Sequence, residues 1–289
     1  MYLPDFDYYA PASVAEACQL LAANIDCAKA ISGGTDLLPK MKHGLLSPQI
    51  LVSIKKIPGL RKIEYVQGKG VVIGAASTIN DIVFSEVLQQ KYLSVSNAAH
   101  TMAANQIRHS GTVGGNLASA VPSADMPPIL MALNATATIE GPNGQRQLPV
   151  EDVFCGPSKC LLEKSEIITE IIIPDQAMTG STYFKFALRR AGALAVVGVA
   201  AAVQVENETV KDARIALGAV APVPMRAKKT EEFLIGKKIS DELLEEAGKI
   251  AAAECKPITD FRASEEYRRD LVRVYTKRAL RKAIDQGHV

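Results

Sequence analysis

Two glycine-rich segments constrain the fold of this chain more than any other feature of its sequence. The first reads AISGGTDLL over residues 30–38, and the second reads QIRHSGTVGGN over residues 106–116. Each follows an apolar element and places small residues and hydroxyl groups where the chain reverses. Glycine lets a backbone approach a phosphate closely, and successive N–H groups can form a nest for an anion. The two segments therefore indicate either a pyrophosphate site or two tight turns without a ligand.

The sequence lacks the motifs of the common nucleotide-binding folds. No G-x-x-x-x-G-K-[ST] sequence is present, so a P-loop is excluded. GKGVVIG at residues 68–74 matches G-x-G-x-x-G only in part, because Ile73 takes the place of the last glycine. That segment also precedes a strand, whereas a Rossmann turn precedes a helix. We predict a β-hairpin instead, with strands over 63–66 and 71–73.

Residues that could hold a metal or act as nucleophiles are scattered along the chain. The four His lie at 43, 100, 109 and 288, and the five Cys lie at 18, 27, 155, 160 and 255. They form neither an H-E-x-x-H nor a C-x-x-C motif, and the G-x-S-x-G nucleophile elbow is missing as well. An iron–sulfur or structural zinc site needs four clustered ligands. We therefore expect reduced thiols and, in an enzyme, chemistry that a bound cofactor supplies.

Charge and composition argue against a nucleic-acid or membrane partner. The net charge is +2 and the chain has no Trp, so neither a strong positive field nor large stacking platforms are expected. The apolar stretch over 191–203 is shorter than the ~20 residues that cross a bilayer, and it is typical of a buried core segment. The first ten residues, MYLPDFDYYA, carry no basic region of a secretory signal. We expect a cytoplasmic protein without a membrane span.

Hydrophobic spacing predicts a mixed N-terminal region and a separate C-terminal α+β domain. In the first part, the pattern predicts helices over 14–23, from 78 onward, over 92–104 and over 125–133, and strands over 29–32, 50–54, 135–140 and 166–173. The pattern changes at 175–181. Beyond it, we predict strands over 182–188, 194–205 and 211–217, followed by helices over 227–234, 241–253 and 264–286. The predicted domains are therefore 1–175 and 180–289.

Four segments together resemble the FAD-binding subunit of the molybdenum hydroxylases. They are ISGGTDLLPKMKHG at 31–44, QIRHSGTVGGNLASAVPSADMPP at 106–128, Lys185-x3-Arg189, and FRASEEYRR at 261–269. The resemblance spans essentially the whole chain. It implies an α+β fold, with a two-part FAD-binding region of the vanillyl-alcohol-oxidase or PCMH type divided into subdomains at about 1–55 and 56–175. The C-terminal domain would be of the CO dehydrogenase flavoprotein type, with a three-stranded sheet and helices.

The resemblance also implies which residues bind FAD, non-covalently and between the two domains. Asp36 and Asp125 are also candidates on the chemistry of their side chains, since each lies near a glycine-rich loop and can accept from a ribose hydroxyl or a ring N–H. Asp125 could equally be a charge at a helix start. Lys185 would reach the flavin and stabilise negative charge on the reduced ring. The implied FAD-binding residues are Ala30, Ile31, Ser32, Gly33, Gly34, Thr35, Asp36, Leu37, Met102, Thr112, Val113, Gly114, Gly115, Asn116, Ser119, Asp125, Ile168 and Lys185.

The residues between 191 and 195 depart from the family pattern. Ala193 stands where many members carry Asp, and Leu194 stands where some members carry an aromatic residue. The flavin contacts that family members make from 191–195 therefore stay open for this chain.

As a family member, the chain would be an oxidoreductase subunit that relays electrons. A large subunit would hold the molybdopterin cofactor, and a small subunit would hold the [2Fe–2S] clusters. The complex would be a dimer of heterotrimers, and FAD in this chain would pass electrons to NAD or another acceptor. Oxidation of a purine or another N-heterocycle, as in xanthine dehydrogenase, is slightly favoured. Two alternatives stay open: a self-contained flavin oxidoreductase of the vanillyl-alcohol-oxidase type, and a cofactor-free binding module.

Overall fold

A small parallel sheet begins the fold of this protein. The structure, a computed structural model, describes residues 2–288. The first three strands, β1 (Asp7–Tyr9), β2 (Ala28–Ile31) and β3 (Ile50–Ser53), pair in the order β1-β3-β2. Helix α1 (Val14–Ala23) joins β1 to β2, and helix α2 (Leu37–Lys42) joins β2 to β3. The first glycine-rich segment therefore lies at the carboxyl end of β2, the edge of a parallel sheet where ligands usually bind.

A five-stranded antiparallel sheet forms the centre of the N-terminal region. Its strands run in the order β4-β5-β10-β6-β7. They are β4 (Ile63–Val66), β5 (Gly70–Gly74), β6 (Thr136–Gly141), β7 (Gly144–Pro149) and β10 (Ile167–Ile173), and a small hairpin of β8 (Phe154–Gly156) and β9 (Lys159–Cys160) lies between β7 and β10 in sequence. The predicted hairpin around Gly68 is confirmed, since β4 and β5 pair antiparallel.

Six short helices lie between β5 and β6: α3 (Ile79–Phe84), α4 (Glu86–Lys91), α5 (Leu93–Thr101), α6 (Asn105–Ser110), α7 (Val113–Ala118) and α8 (Met126–Ala132). The prediction of a helix starting at Thr78 was wrong by one residue. Thr78 is the N-cap, and it forms a capping box with Asp81. The predicted helix over 92–104 ends at Thr101, because Ala103 adopts a positive φ of 45° that no helix continues.

The second glycine-rich segment was expected to be a single chain reversal, and the structure differs there. It contains the two helices α6 and α7, separated by Gly111 and Thr112. Helix α6 ends where Gly111 takes an extended conformation, and Thr112 then caps α7. A hydrophobic-period analysis misses helices this short, because each has fewer than two turns.

A four-stranded antiparallel sheet and three helices make up the C-terminal region. The strands are β11 (Gly180–Phe186), β12 (Val197–Glu206), β13 (Thr209–Gly218) and β14 (Met225–Arg226), and the helices are α9 (Lys228–Leu234), α10 (Asp241–Glu254) and α11 (Glu265–Asp285). The expected three strands are thus joined by a fourth, β14, which pairs with the end of β13. Strand β12 begins three residues later than predicted, since the chain before it forms a loop that includes Gly192 at φ 62°.

The C-terminal sheet is buried on both faces. On one face, Val199, Ile215 and Leu217 pack with the apolar sides of α10 and α11. On the other face, Ala200 and Ala216 belong to the same core as Ile129 and Leu130 of α8. A Cβ at Gly218 would lie 2.9 Å from Pro128 Cγ, so the sheet approaches α8 closely. This shared core fixes the C-terminal sheet beside the glycine-rich segments.

Candidate functional site

Two adjoining cavities form one groove between the glycine-rich segments and the C-terminal region. The first has a volume of about 210 Å³ and the second about 250 Å³. They share the five lining residues Thr35, Asp36, Met102, Asn116 and Ser119. The first cavity extends along residues 30–37, and the second extends to Asp125 and to residues 192–194. An elongated ligand can therefore contact both glycine-rich segments and the C-terminal loop at once.

The first glycine-rich segment packs directly on the second. A Cβ at Gly33 would lie 2.1 Å from the carbonyl oxygen of Ser110, so glycine is required for this close approach. Gly34 has a φ of +70°, a conformation that favours glycine. Across the contact, the Thr112 hydroxyl donates to Ser32 Oγ at 3.1 Å. The two segments therefore form one continuous wall of the groove.

Thr112 also organises the second segment. As the N-cap of α7, its Oγ1 accepts a hydrogen bond of 3.2 Å from the Gly115 N–H. A Cβ at Gly115 would meet Thr112 Oγ1 at 3.0 Å and nothing else within 4 Å, and Gly115 lines the groove. A Cβ at Gly114, in contrast, would lie 2.6 Å from Ala75 Cβ. Gly115 thus keeps the groove open, while Gly114 allows helix α7 to pack on the protein.

The side chain of Asn116 is incompletely satisfied. Asn116 is 8% exposed and lines both cavities, yet its Oδ1 has no hydrogen-bond donor within the described protein. Leaving a buried acceptor without a donor costs about 1–3 kcal/mol. Beside it, the Ser119 hydroxyl donates to Asp36 Oδ2 at 2.7 Å, which joins the two segments again. A ligand with a donor group near Asn116 would satisfy the orphaned oxygen.

Asp125 lies at the far end of the groove in a buried cluster of three side chains. It accepts from Tyr183 Oη at 2.9 Å and from Lys185 Nζ at 2.8 Å. Burial raises the pKa of Asp125, and the ammonium of Lys185 offsets that rise in part. Burial and the neighbouring carboxylate hold the pKa of Tyr183 well above its usual value. Asp125 is therefore paired with the C-terminal sheet and makes no side-chain cap for α8.

Lys185 differs from the expected free cation beside a ring. Its Nζ is bonded to Asp125 Oδ2 and, at 3.1 Å, to the carbonyl oxygen of Thr101, and its side chain is only 6% exposed. Its positive charge is thus already compensated by a carboxylate. Lys185 lines a neighbouring cavity rather than the groove.

Most of the predicted binding residues are brought together in the groove, and four are not. The groove residues are Ala30, Ile31, Ser32, Gly33, Gly34, Thr35, Asp36, Leu37, Met102, Thr112, Gly115, Asn116, Ser119 and Asp125. Besides Lys185, the exceptions are Val113, Gly114 and Ile168, which lie behind the groove wall. Val113 and Ile168 are 0% and 4% exposed and pack in the hydrophobic core, because each occupies the inward side of its helix or strand.

The loop over 192–194, within the segment whose flavin contacts the departure from the family pattern left open, forms a wall of the groove. Gly192, Ala193 and Leu194 line the second cavity, and the Gly192 N–H donates to the Ala103 carbonyl oxygen at 2.9 Å. An apolar core stretch was expected here and, from Leu194 onward, a strand. A glycine inside an apolar run was the available signal, since it often marks a bend or a close backbone approach.

A third cavity, which we call the arginine pocket, adjoins the groove. It has a volume of about 580 Å³ and shares Ala103 and Ala193 with the second cavity. Its charged and titratable lining residues are His100, Arg108, Lys185, Arg189 and Arg190, and no Asp or Glu of the described chain is among the residues that line it. Arg108 is held in place by bonds to the Met102 carbonyl oxygen and to Asn80 Oδ1. The pocket therefore suits an anionic group.

Clusters of metal-ligating side chains and membrane-spanning helices are both absent from residues 2–288, the described part of the chain. No group of three or more His, Cys, Asp or Glu side chains in that range is placed to hold a metal ion. None of the helices within it has the length and apolar character needed to span a membrane.

Two family models cover most of the chain. Residues 4–176 match the FAD binding domain in molybdopterin dehydrogenase, and residues 182–283 match the CO dehydrogenase flavoprotein C-terminal domain.

Individual relatives match over nearly their full length. The carbon monoxide dehydrogenase medium chain of Hydrogenophaga pseudoflava is 38% identical, with 98% of each chain covered. The xanthine dehydrogenase FAD-binding subunit of Escherichia coli O157:H7 is 30% identical, with 96% of this chain and 95% of the relative covered. The solved structure of the Hydrogenophaga pseudoflava carbon monoxide dehydrogenase lacking the Mo-pyranopterin moiety superimposes with a TM-score of 0.95, at 37% identity and 99% coverage of both chains.

Proposed function

This chain belongs to the FAD-binding medium subunits of the molybdenum hydroxylases, which are oxidoreductases, and from that premise we propose that it relays electrons through one FAD held in the groove. Electrons would arrive from the [2Fe–2S] clusters of a small partner subunit. A large partner subunit would carry the molybdopterin cofactor and oxidise the substrate. The single observation that carries the proposal is the groove itself, where two glycine-rich segments and the orphaned Asn116 oxygen converge.

The residues of the groove fit FAD. Backbone N–H groups and hydroxyls of 32–35 and 112–116 would hold the pyrophosphate, which the open face at Gly115 allows to approach. Asn116 Oδ1 is an acceptor in need of a donor, and a flavin nucleotide offers hydroxyl and ring N–H donors. The apolar side chains of Met102 and Leu194 would cover the ring system and exclude water. Ile168 would not touch the cofactor, and would support the groove wall from the hydrophobic core behind it.

Bound FAD would supply the ability to take up electrons one at a time and to release them in pairs. The chain itself would bind, orient and shield the cofactor. The buried Asp125–Lys185 pair would hold the C-terminal sheet against the groove and keep charge beside it balanced. No residue of this chain is proposed as a catalytic acid, base or nucleophile.

The arginine pocket supports NAD as the electron acceptor. A guanidinium group pairs with phosphate oxygens through two parallel hydrogen bonds, and Arg108, Arg189 and Arg190 line one pocket. Because this pocket shares Ala103 and Ala193 with the groove, an acceptor bound there would reach the neighbourhood of the FAD site. An uncharged acceptor would gain nothing from these arginines.

The proposed assembly and substrate extend beyond this chain. The description of the first relative as a medium chain supports a complex with a large and a small subunit, and we propose a cytoplasmic dimer of heterotrimers. Oxidation of a purine or another N-heterocycle stays a prediction. Sequence identity does not favour it, since the carbon monoxide dehydrogenase chain is 38% identical and the xanthine dehydrogenase subunit 30%.

The decisive experiment compares the chain alone with the reassembled complex. Acid precipitation should release FAD into the supernatant, and a colourless protein would favour a cofactor-free module. In anaerobic stopped-flow, the chain alone should show no flavin bleaching with purines, aldehydes, N-heterocycles or CO. After the two partner subunits are added, one of these substrates should bleach the flavin. Bleaching by the isolated chain would instead establish the self-contained flavin oxidoreductase.

A further inference from the structure

A partly buried charge cluster surrounds Asp260, directly before FRASEEYRR, and the groove does not include it. Asp260 Oδ1 accepts from Arg268 Nη2 at 2.7 Å, and Asp260 Oδ2 accepts from Arg262 Nη2 at 2.7 Å. The Arg268 side chain is 1% exposed, in the first half of helix α11. Burial alone would raise the pKa of Asp260, but hydrogen bonds from Arg262 and Arg268 lower it below its usual range. The carboxylate is therefore charged at neutral pH.

Arg268 ties together two backbone segments that border the groove. Its Nη1 donates to the Val196 carbonyl oxygen at 2.7 Å and to the Ala219 carbonyl oxygen at 3.0 Å. Val196 lies two residues after Leu194, which lines the second cavity. A single guanidinium therefore fixes the end of the 192–194 loop to the end of strand β13.

A further hydrogen bond connects Ala219 to the opposite side of the groove. The Ala219 N–H donates to the Pro122 carbonyl oxygen at 2.8 Å, and Val121 and Ser123 on either side of Pro122 line the second cavity. Ala219 has a positive φ of 64°, a strained conformation for a residue with a Cβ, which needs support from its surroundings. Arg262 adds a weaker contact of 3.5 Å to the Ala195 carbonyl oxygen. The chain of contacts thus runs from Asp260 through Arg268 to both borders of the second cavity.

A buried carbonyl oxygen that loses its donor costs free energy, so removing Arg268 should weaken the hold on both segments, which would keep only their N–H bonds to Phe186 and Pro122. Asp260 in turn holds the guanidinium through one charge-assisted hydrogen bond, from Arg268 Nη2 to Asp260 Oδ1. At the other end of the loop, the Gly192 N–H bond to Ala103 supplies a second anchor. The loop is held at both ends, and the Asp260 cluster provides the charged anchor.

We propose that Asp260 and Arg268 are positioning residues that set the shape of the groove wall formed by residues 192–196 and 121–125. They touch neither the groove nor its contents, and they act through the backbone carbonyls of Val196 and Ala219. The proposal rests on the proposed binding of FAD in this groove. It gives the FRASEEYRR segment a function that its distance from the glycine-rich loops did not suggest.

The test uses the full chain with two conservative variants, Asp260→Asn and Arg268→Lys. Asp260→Asn should raise the FAD dissociation constant about tenfold and change the visible circular dichroism of the bound flavin. Arg268→Lys keeps the charge but cannot bridge two carbonyls and a carboxylate, so it should act in the same direction. Hydrogen–deuterium exchange of the apoprotein should become faster over 192–197 and 219–221 in both variants.

The matched control is Glu231→Gln. Glu231 forms a similar ion pair with Arg226 at 2.6 Å in the same region, with side-chain exposures of 10% and 13%, but it lines neither cavity of the groove. The Glu231→Gln variant should be less stable than wild type, but its FAD affinity and its hydrogen–deuterium exchange over 192–197 should be unchanged. Equal effects of Asp260→Asn and Glu231→Gln on FAD would overturn the proposal, as would unchanged FAD affinity in Asp260→Asn. A wild-type chain without FAD would refute the proposed function, and the exchange data would still decide the anchoring role.

Discussion

The Lys185 ammonium lies 2.8 Å from the Asp125 carboxylate, with both side chains 6% exposed, and this pair joins the first strand of the C-terminal sheet to the start of helix α8. Tyr183, two residues before Lys185 on the same face of the strand, donates to the same carboxylate. The contact connects the two regions that border the groove. A substitution of either residue therefore also leaves the charge of the other one uncompensated.

Removing one member of this pair should be costly. Lys185→Met leaves the Asp125 carboxylate buried without its cation, and such changes typically cost about 3–5 kcal/mol of unfolding free energy. The double variant Lys185→Met with Asp125→Asn should recover part of that loss, because no unpaired charge remains. Urea unfolding of wild type, Lys185→Met, Asp125→Asn and the double variant, each as apoprotein, measures the coupling. Strictly additive losses would show that the pair contributes nothing as a pair.

The same variants should shift the flavin potential in opposite directions. Lys185→Met leaves an excess negative charge near the groove and should make bound FAD harder to reduce. Asp125→Asn leaves an excess positive charge and should make it easier to reduce. Shifts on the order of 30 mV are expected for interactions of this kind. Dye-equilibrated spectrophotometric titration gives the midpoint potentials, and shifts of the same sign in both variants would contradict the electrostatic explanation.

Gly115 and Gly114 should separate cofactor binding from folding. A side chain at Gly115 meets only Thr112 Oγ1, at 3.0 Å, so Gly115→Val should fold but obstruct the groove and lose FAD. Gly114→Ala places a Cβ 2.6 Å from Ala75 Cβ and 2.8 Å from the Ala75 carbonyl oxygen, so it should lower the melting temperature. Far-UV circular dichroism and FAD content distinguish the two outcomes. Stoichiometric FAD in Gly115→Val would mean that the segment is only a turn.

These two glycines show which part of the site the sequence predicts and which part it does not. The GTVGGN sequence located the second wall of the groove, but it could not distinguish Gly115 from Gly114, since their roles depend on which neighbour each one faces. The strong signals were local, such as the apolar spacing of helix α1 and the isoleucine-rich strand β10, whereas the start of helix α3 was predicted one residue too early. Three-dimensional contacts decided the rest.

The loop at 192–194 and the state of Lys185 illustrate that limit. An apolar run is compatible with either a strand or a loop that packs against another region. Nothing in the sequence near Lys185 indicates that Asp125, 60 residues earlier, neutralises it. Likewise, the short helix α7 is defined by its Thr112 cap and by packing, while α6 has neither a side-chain cap nor a buried residue that a hydrophobic pattern could reveal.

The cysteines should react at very different rates. Burial raises the pKa of the Cys18 thiol to about 11, with the Glu140 carboxylate adding to the effect, and Cys18 is 1% exposed. At pH 8 about one Cys18 in a thousand would be a thiolate, so alkylation should be slow even when solvent reaches it. Cys155 is exposed and should react first. Peptide mapping after iodoacetamide treatment of the native protein gives the order, and early labelling of Cys18 would contradict its burial.

Asn116 should influence the apoprotein and the loaded protein in opposite directions. Its Oδ1 is buried without a donor, so replacing the amide by an apolar group of similar size, Asn116→Leu, removes an unsatisfied acceptor. The apoprotein should therefore be as stable as wild type or more stable, by up to about 1–3 kcal/mol. FAD affinity should fall at least about tenfold, because the donor that completes Asn116 in the complex loses its partner.

Thr138→Val is a suitable control for that change. Thr138 is also buried, at 0% exposure, but its hydroxyl bonds to Glu170 and Gln147 on the central sheet, away from the groove. The Thr138→Val variant should be less stable than wild type, because Glu170 and Gln147 lose a hydrogen-bond partner, while its FAD affinity stays unchanged. Fluorescence titration of the apoproteins with FAD, together with urea unfolding, measures both quantities. If Asn116→Leu destabilises the apoprotein as Thr138→Val does, Asn116 is satisfied without a ligand, and the groove loses its clearest sign of an absent partner.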